Sequence, residues 1–402
     1  MTHQAVLGLG GTVDFELRWD VKRLESLSAE LSIAYSDLVP PVEVDSERAL
    51  VISLLCHLRE GTGGEHYVTS PEVVEGFAER FEYHVTIGGT PVRAAIAMST
   101  LGLPSTVHLV SIDDNVRRLL PANVDYLCSA DEDSTDPHLI VQYPARERVR
   151  LVGGEIVTPA ANRLIYPSDQ PNRILRLSRD LPAALSTADI FLISGLNSIQ
   201  EREVLDERLA EIVEAMAALP ETSTVLYEDA AFHVPTFNLV ARAALAEHVD
   251  ICSMNEDELM TYAGGAVDLL DPHEVRAAVL EVHAQLRVPI LVLHTKYFAI
   301  AHGRDAESFR RALSEGVAVA GARYEYGDRV SRAEIQRLAA LGERSPDGAA
   351  VVVELESNDA EFAGVAALDL GHVASPTTIG LGDAFIGGAI AALLENDQSQ
   401  RA

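Results

Sequence analysis

The sequence predicts an α/β fold with a doubly wound, mostly parallel sheet and a smaller lid domain attached. Three observations carry that expectation. Short apolar runs rich in β-branched residues alternate with longer amphipathic stretches through most of the 402 residues. Two segments break the rhythm and return to it, and a glycine-rich turn near the C-terminus runs into an apolar helix.

The expected strands are Ala5 to Gly10, His84 to Ile87, Thr106 to Val110, Ile190 to Ser194, Thr224 to Glu228, Ile251 to Ser253, Pro289 to His294, Ala349 to Leu355 and Val365 to Leu370. Between them the helical period appears in Pro91 to Leu101, Glu201 to Ala218, Asn238 to Glu247, Glu256 to Ala263, His273 to Leu286 and Ser308 to Gly321. The interruptions run from Phe15 to Tyr83 and from Ala130 to about Pro182. The second holds strand-like runs at Leu139 to Tyr143, Arg148 to Val152 and Arg163 to Tyr166. Insertions at strand ends of an α/β sheet can join into a small sheet over the ligand crevice. The expected division is therefore a large catalytic domain of residues 1–14, 84–130 and 183–402, and a lid of residues 15–83 and 131–182. The tail from Glu395 to Ala402 is expected to fray.

Composition narrows the function. With 48% hydrophobic and 23% charged residues the chain is an ordinary globular sequence. Its net charge of −30, from 61 acidic against 31 basic residues, repels polynucleotides and anionic lipid, so neither nucleic acid nor membrane is an expected partner. Cys56, Cys128 and Cys252 are odd in number and widely spaced, which fits neither a disulfide framework nor a zinc cluster. Met1 to Gly10 lacks the basic flank and apolar run of a signal peptide. A cytoplasmic, soluble protein is expected.

The chemistry is sharpest at Thr377-Thr378-Ile379-Gly380-Leu381-Gly382-Asp383, followed by an apolar helix. Glycines let successive backbone N–H groups converge on an anion at a helix N-terminus, where the helix dipole helps. Asp383, in the first turn beside that cradle, is placed to take a proton from a hydroxyl attacking phosphorus. Taken alone, the same Asp could simply cap its helix. Asn255 and Glu258, three residues apart at a helix start, share a face and suit Mg²⁺ through its water shell, though favourable acids at a helix N-terminus read the same way. Glu228 ends a strand on the carboxyl edge of the sheet and is a second metal candidate. Asp14, soon after the first strand, and Gly88-Gly89, opening the next helix, offer hydrogen-bonding partners for sugar hydroxyls. The turn Gly8-Leu9-Gly10-Gly11 lacks the spacing of a dinucleotide-binding dehydrogenase.

In that order, these motifs, together with Asn162-Arg163-Leu164-Ile165, Leu192-Ile193-Ser194-Gly195-Leu196, Tyr227-Glu228 and His294-Thr295, make the chain resemble the ADP-dependent glucokinase and phosphofructokinase family within the ribokinase-like superfamily. The resemblance implies Mg-dependent phosphoryl transfer from ADP to a hydroxyl of a hexose or hexose phosphate. It implies that Asp383 is the base, that Gly380, Leu381 and Gly382 form the anion hole, and that Arg163 reaches the phosphates. It further implies that Asp14, Gly88 and Gly89 bind the sugar, that His294, Thr295 and Asn255 lie near the nucleotide, and that Glu258 and Glu228 order the metal. Arg93 follows the glycine pair, where its fork would match a phosphate or carboxylate on the acceptor or would face solvent. The alternatives are an ATP-dependent ribokinase-type sugar or nucleoside kinase and a silent nucleotide- or sugar-binding sensor. A monomer is expected.

Overall fold

The computed structural model describes residues 4–373 and 376–401, with side chains as far as Glu395. Met1 to His3, part of the segment expected to lack a signal peptide, and Ala402 lie outside them. A nine-stranded sheet forms the centre, in the order Phe362–Ala366, Phe298–Gly303, Ile290–His294, Ile251–Asn255, Thr224–Glu228, Ile190–Ile193, Ala5–Leu7, Ser105–Leu109 and Val124–Cys128. All neighbours are parallel except at Phe298–Gly303, which runs antiparallel to both of its partners. Helices cover both faces, so inner strands such as Ile290–His294 and Ile190–Ile193 are buried along their whole length and read as continuous apolar runs. No helix among the described residues is long and apolar enough to cross a membrane.

Three expected strands differ. Ala349 to Leu355 lies inside the helix Pro346–Asn358. Pro346 opens its first turn, Ser345 caps it by accepting from the Gly348 amide, and Val351, Val352 and Leu355 bury one helical face, so a local cap overrides the β-branched run. His84 to Ile87 is part of Tyr83–Gly88, which belongs to a second sheet. The strand expected at Val365 to Leu370 sits earlier, at Phe362–Ala366. The tail expected to fray from Glu395 continues the helix Leu381–Arg401.

The second sheet has five strands in the order Gly64–Glu65, Asn162–Pro167, His138–Tyr143, Thr12–Leu17 and Tyr83–Gly88. Thr12–Leu17 carries Asp14, so that residue is a strand residue of this sheet and not a turn residue following Ala5–Leu7. Alternation divides the sheet. Phe15, Leu17, Leu139, Val141, Leu164 and Tyr166 bury one face in the apolar core, together with Leu24, Leu27 and Leu54 from two helices. The register places Asp14 beside Thr86 and His138, Glu16 beside His84 and Ile140, Ile165 beside Glu65, and Arg163 beside Gln142 on the other face.

That polar face meets the carboxyl edge of the large sheet. Asp14 pairs with Arg93 on the helix Thr90–Thr100, Glu65 lies 3.4 Å from His233 beyond Thr224–Glu228, and the Asn172 amide donates to Gly11 O at 2.9 Å. Beneath the crevice, Leu381–Arg401 packs closely on Thr90–Thr100. A Cβ on Gly387 would lie 2.5 Å from Ala94 O, so only glycine permits that approach.

His108, wholly buried on Ser105–Leu109, accepts a hydrogen bond from the Ser178 amide at 2.9 Å through Nε2. Burial pushes its pKa down to about 4. The unfolded chain binds a proton there below about pH 6.5 that the folded chain refuses, so stability should be full above that pH and fall by up to roughly 3 kcal/mol as pH drops to 4. Urea titrations of the wild type and His108→Gln across pH 4 to 7 check this; the variant should show the flatter profile.

Candidate active site

The glycine turn is built by packing on both sides. Gly380 has φ +67°, a left-handed conformation, and a Cβ there would lie 2.4 Å from Arg93 Cδ. On the other side a Cβ on Gly382 would lie 3.1 Å from His294 Cε1. Between them the Leu381, Gly382 and Asp383 amides precede the first hydrogen bond of Leu381–Arg401, at the positive end of that helix. Asp383 stands in its first turn, and its Oδ1 accepts from the Thr90 hydroxyl at 2.8 Å. A carboxylate held in this way beside free amides can receive a proton while an anion sits in the turn.

Asp14, Gly88, Gly89 and Arg93 come together opposite that turn. Asp14 is 4% exposed; its Oδ1 accepts from Thr12 Oγ1 at 2.6 Å and its Oδ2 from Arg93 Nη2 at 2.8 Å. Gly88 lies against this carboxylate, and Gly89 caps the helix that carries Thr90 and Arg93. Arg93 does not face solvent: it is 5% exposed, and although burial opposes its charge, the carboxylates of Asp14, Asp383 and Glu16 raise its pKa. Arg163, from the second sheet, feels burial first, then repulsion from Arg93 and attraction from Asp383, Glu65 and Asp14, with a net lowering. Strand register places Arg163 on the same face of the second sheet as Asp14.

A carboxylate group adjoins the far side of the turn. Glu228 Oε1 bonds His294 Nε2 at 3.0 Å, while its Oε2 is buried without a partner. Burial opposes protonation of His294, yet Glu228 and then Glu258 raise its pKa. Glu258 is pushed up to about 7, first by burial and then by Glu228 and Asp229. Asn255 is the N-cap of Glu256–Ala263: its Oδ1 accepts from the Asp257 and Glu258 amides, and the Asn255 backbone amide donates to Glu258 Oε2 at 2.8 Å. Thr295 Oγ1 is engaged in the hairpin turn, donating to Phe298 O and accepting from the Tyr297 and Phe298 amides.

Three residues of the crevice were missed in the sequence. Thr90, next to Gly89, had a signal: a hydroxyl at a helix start. His138 and Glu65 had none, because only strand register brings them to this face. Burial opposes protonation of His138, but its hydrogen bond to Asp169 at 2.8 Å and the nearby Asp14 and Glu65 bring its pKa to about 9, adding a cation beside Asp14.

A family model described as the ADP-specific phosphofructokinase/glucokinase conserved region matches residues 3–340. The chain belongs to this family. It is accordingly a sugar kinase, a phosphotransferase with an alcohol group as acceptor, of the ADP-dependent kind, with the expected mostly parallel α/β sheet. Among solved structures it is similar to a phosphofructokinase from Pyrococcus horikoshii OT3 with AMP, at 15% identity over 99% of each chain and a TM-score of 0.82. It is similar also to a last common ancestor of ADP-dependent phosphofructokinases from Methanosarcinales, at 17% identity, 98% of this chain and 94% of that one, and a TM-score of 0.74. A third is an ADP-dependent kinase complex with fructose-6-phosphate and ADPβS, at 15% identity, 97% and 93% coverage, and a TM-score of 0.70. No curated protein sequence matches the chain. The matched region ends before Gly380, so the turn and Asp383 stand on the geometry above.

Gly380→Ala should combine left-handed strain with the contact against Arg93 and cost about 1–3 kcal/mol of stability. Steady-state kinetics on the folded variant should show kcat/KM at least about 100-fold down, the scale of a lost anion-hole donor. An unchanged kcat/KM would show that the turn takes no part in catalysis.

Proposed function

We propose that the chain transfers the terminal phosphoryl group of ADP to a hydroxyl of a hexose or hexose phosphate, of the glucose or fructose 6-phosphate class, with Asp383 as base and the Gly380-Leu381-Gly382 turn as anion hole. The observation that carries this reading is the Asp383 carboxylate, fixed by Thr90 at 2.8 Å beside unpaired helix N-terminal amides. As the acceptor oxygen bonds to phosphorus, the bond from phosphorus to the AMP oxygen breaks and the hydroxyl proton passes to Asp383. The turn amides and Arg163 meet the charge on the moving group. Asp14 and the Gly88-Gly89 turn orient the sugar, and the second sheet acts as the lid that excludes water.

Residues fit for a divalent cation lie on the other side of the turn. The buried, unpartnered Oε2 of Glu228 and the crowded carboxyl of Glu258 match Mg²⁺ bound directly or through water. When bound, Mg²⁺ supplies neutralisation of the nucleotide phosphates. Asn255, whose side-chain oxygen holds the cap, orients Glu258, and His294 holds Glu228 beside the nucleotide side of Gly382. The similar kinase solved with fructose-6-phosphate and ADPβS supports a sugar phosphate and a nucleoside diphosphate as the substrate classes.

Phosphoryl transfer measured over ADP and ATP crossed with glucose, fructose 6-phosphate, ribose and a nucleoside should give AMP from ADP only when a hexose acceptor is present. ADP released from ATP would move the donor to the ATP-dependent alternative. Asp383→Asn should keep ADP affinity within a few-fold and lose kcat by at least about 10³-fold; near-normal turnover removes Asp383 as base.

A further inference from the structure

We propose that Arg93 is a further specificity-determining residue of the acceptor pocket: one guanidinium nitrogen holds Asp14, and the others donate to an acceptor oxygen next to the hydroxyl that Asp14 binds. The inference rests on the kinase reading above and assigns the acceptor a pattern, two adjacent oxygens on a polyol, read by a carboxylate and a guanidinium side by side.

The first turn of Thr90–Thr100 sets the geometry. Thr90 and Arg93 are three residues apart and share one helical face. Thr90 holds Asp383 and Arg93 holds Asp14, so a single helical turn fixes the distance between the base and the acceptor carboxylate. The Arg93 stem lies against Gly380, which puts its guanidinium where the acceptor meets the transferring group. Glu16 Oε1 stands 4.0 Å from Nη2.

The pairing is incomplete in a way that points to a ligand. Arginine–carboxylate pairs are frequently bidentate, with two parallel bonds. Arg93 makes one, through Nη2, while its Nε and Nη1 bond nothing among the described residues and are not among the buried polar atoms without a partner, so the 5% exposure the side chain keeps leaves these nitrogens open to the crevice. A guanidinium with free donors at the wall of a crevice offers them to an oxygen that enters it. A sugar oxygen in the crevice is such an acceptor. Asp14 already accepts from Thr12 and Arg93, so its remaining lone pairs are directed to a neighbouring hydroxyl on the same sugar.

The test compares wild type, Arg93→Lys, Arg93→Met and the double variant Asp14→Asn/Arg93→Met, using ADP with glucose and its monodeoxy analogues, or fructose 6-phosphate and its deoxy analogues. For wild type, one deoxy position should lower kcat/KM by about 100-fold or more. Arg93→Met should raise the acceptor KM at least about 30-fold, leave the ADP KM within about 3-fold and shrink that discrimination below about 10-fold. Arg93→Lys should recover part of the acceptor affinity but not the discrimination. The double variant removes the unpaired charge that could unfold Arg93→Met, so it should melt near wild type and still lack discrimination. Wild-type acceptor KM and discrimination in Arg93→Met or in the double variant would make the ion pair purely structural and overturn the proposal. Wild type without acceptor-dependent AMP release would instead overturn the kinase reading on which it rests.

Discussion

The buried contact between Asp14 and Arg93 ties the polar face of the second sheet to the helix Thr90–Thr100, and the crevice is built around it. A carboxylate and a guanidinium almost fully removed from water at 2.8 Å gain strong attraction, but desolvating both offsets most of that gain. Such a pair persists where geometry matters more than stability. Here it sets the second sheet over the carboxyl edge of the first, with Asp14 on one strand facing the helix turn that also holds Asp383. If either partner is lost, the other is a buried charge without compensation.

Around that contact the charges are arranged by type. The glycine turn lies between Arg93 and His294, each bonded to a carboxylate, Asp14 on one side and Glu228 on the other. A chain with net charge −30 has to bring an anionic nucleotide into this crevice. The local electrostatics run against that overall charge: helix N-terminal amides, Arg163 on the facing sheet, and His138, whose acidic neighbours raise its pKa.

Much of the large sheet was legible because buried parallel strands carry a strong local signal. Thr224–Glu228 and Glu256–Ala263 fall where periodicity put them. The helix Pro346–Asn358 was not, since three consecutive valines outweighed the Ser345-Pro346 cap when read one residue at a time. The run at residues 84–87 was recognised as a strand, but alternation along one strand says nothing about which sheet will hydrogen-bond to it. The site divides the same way. Gly380 to Asp383 is contiguous and could be read directly, while Thr90, Glu65 and His138 become neighbours of Asp383 and Asp14 only through tertiary contacts. Asn255 and Thr295 show the reverse: both were expected near the nucleotide, and local backbone bonds occupy their side-chain oxygens.

The second sheet is assembled from distant parts of the chain: Thr12–Leu17 pairs with Tyr83–Gly88 on one side and with His138–Tyr143 on the other, and Asn162–Pro167 completes it. During synthesis the strand bearing Asp14 therefore emerges long before its partners, and the second sheet cannot close over the crevice until residue 167 is available. High contact order of this kind slows folding, because the entropy of closing long loops is lost before the pairings form. The nascent chain must meanwhile carry the exposed edges of Thr12–Leu17, a liability that its charged residues Asp14 and Glu16 reduce by discouraging pairing with other chains.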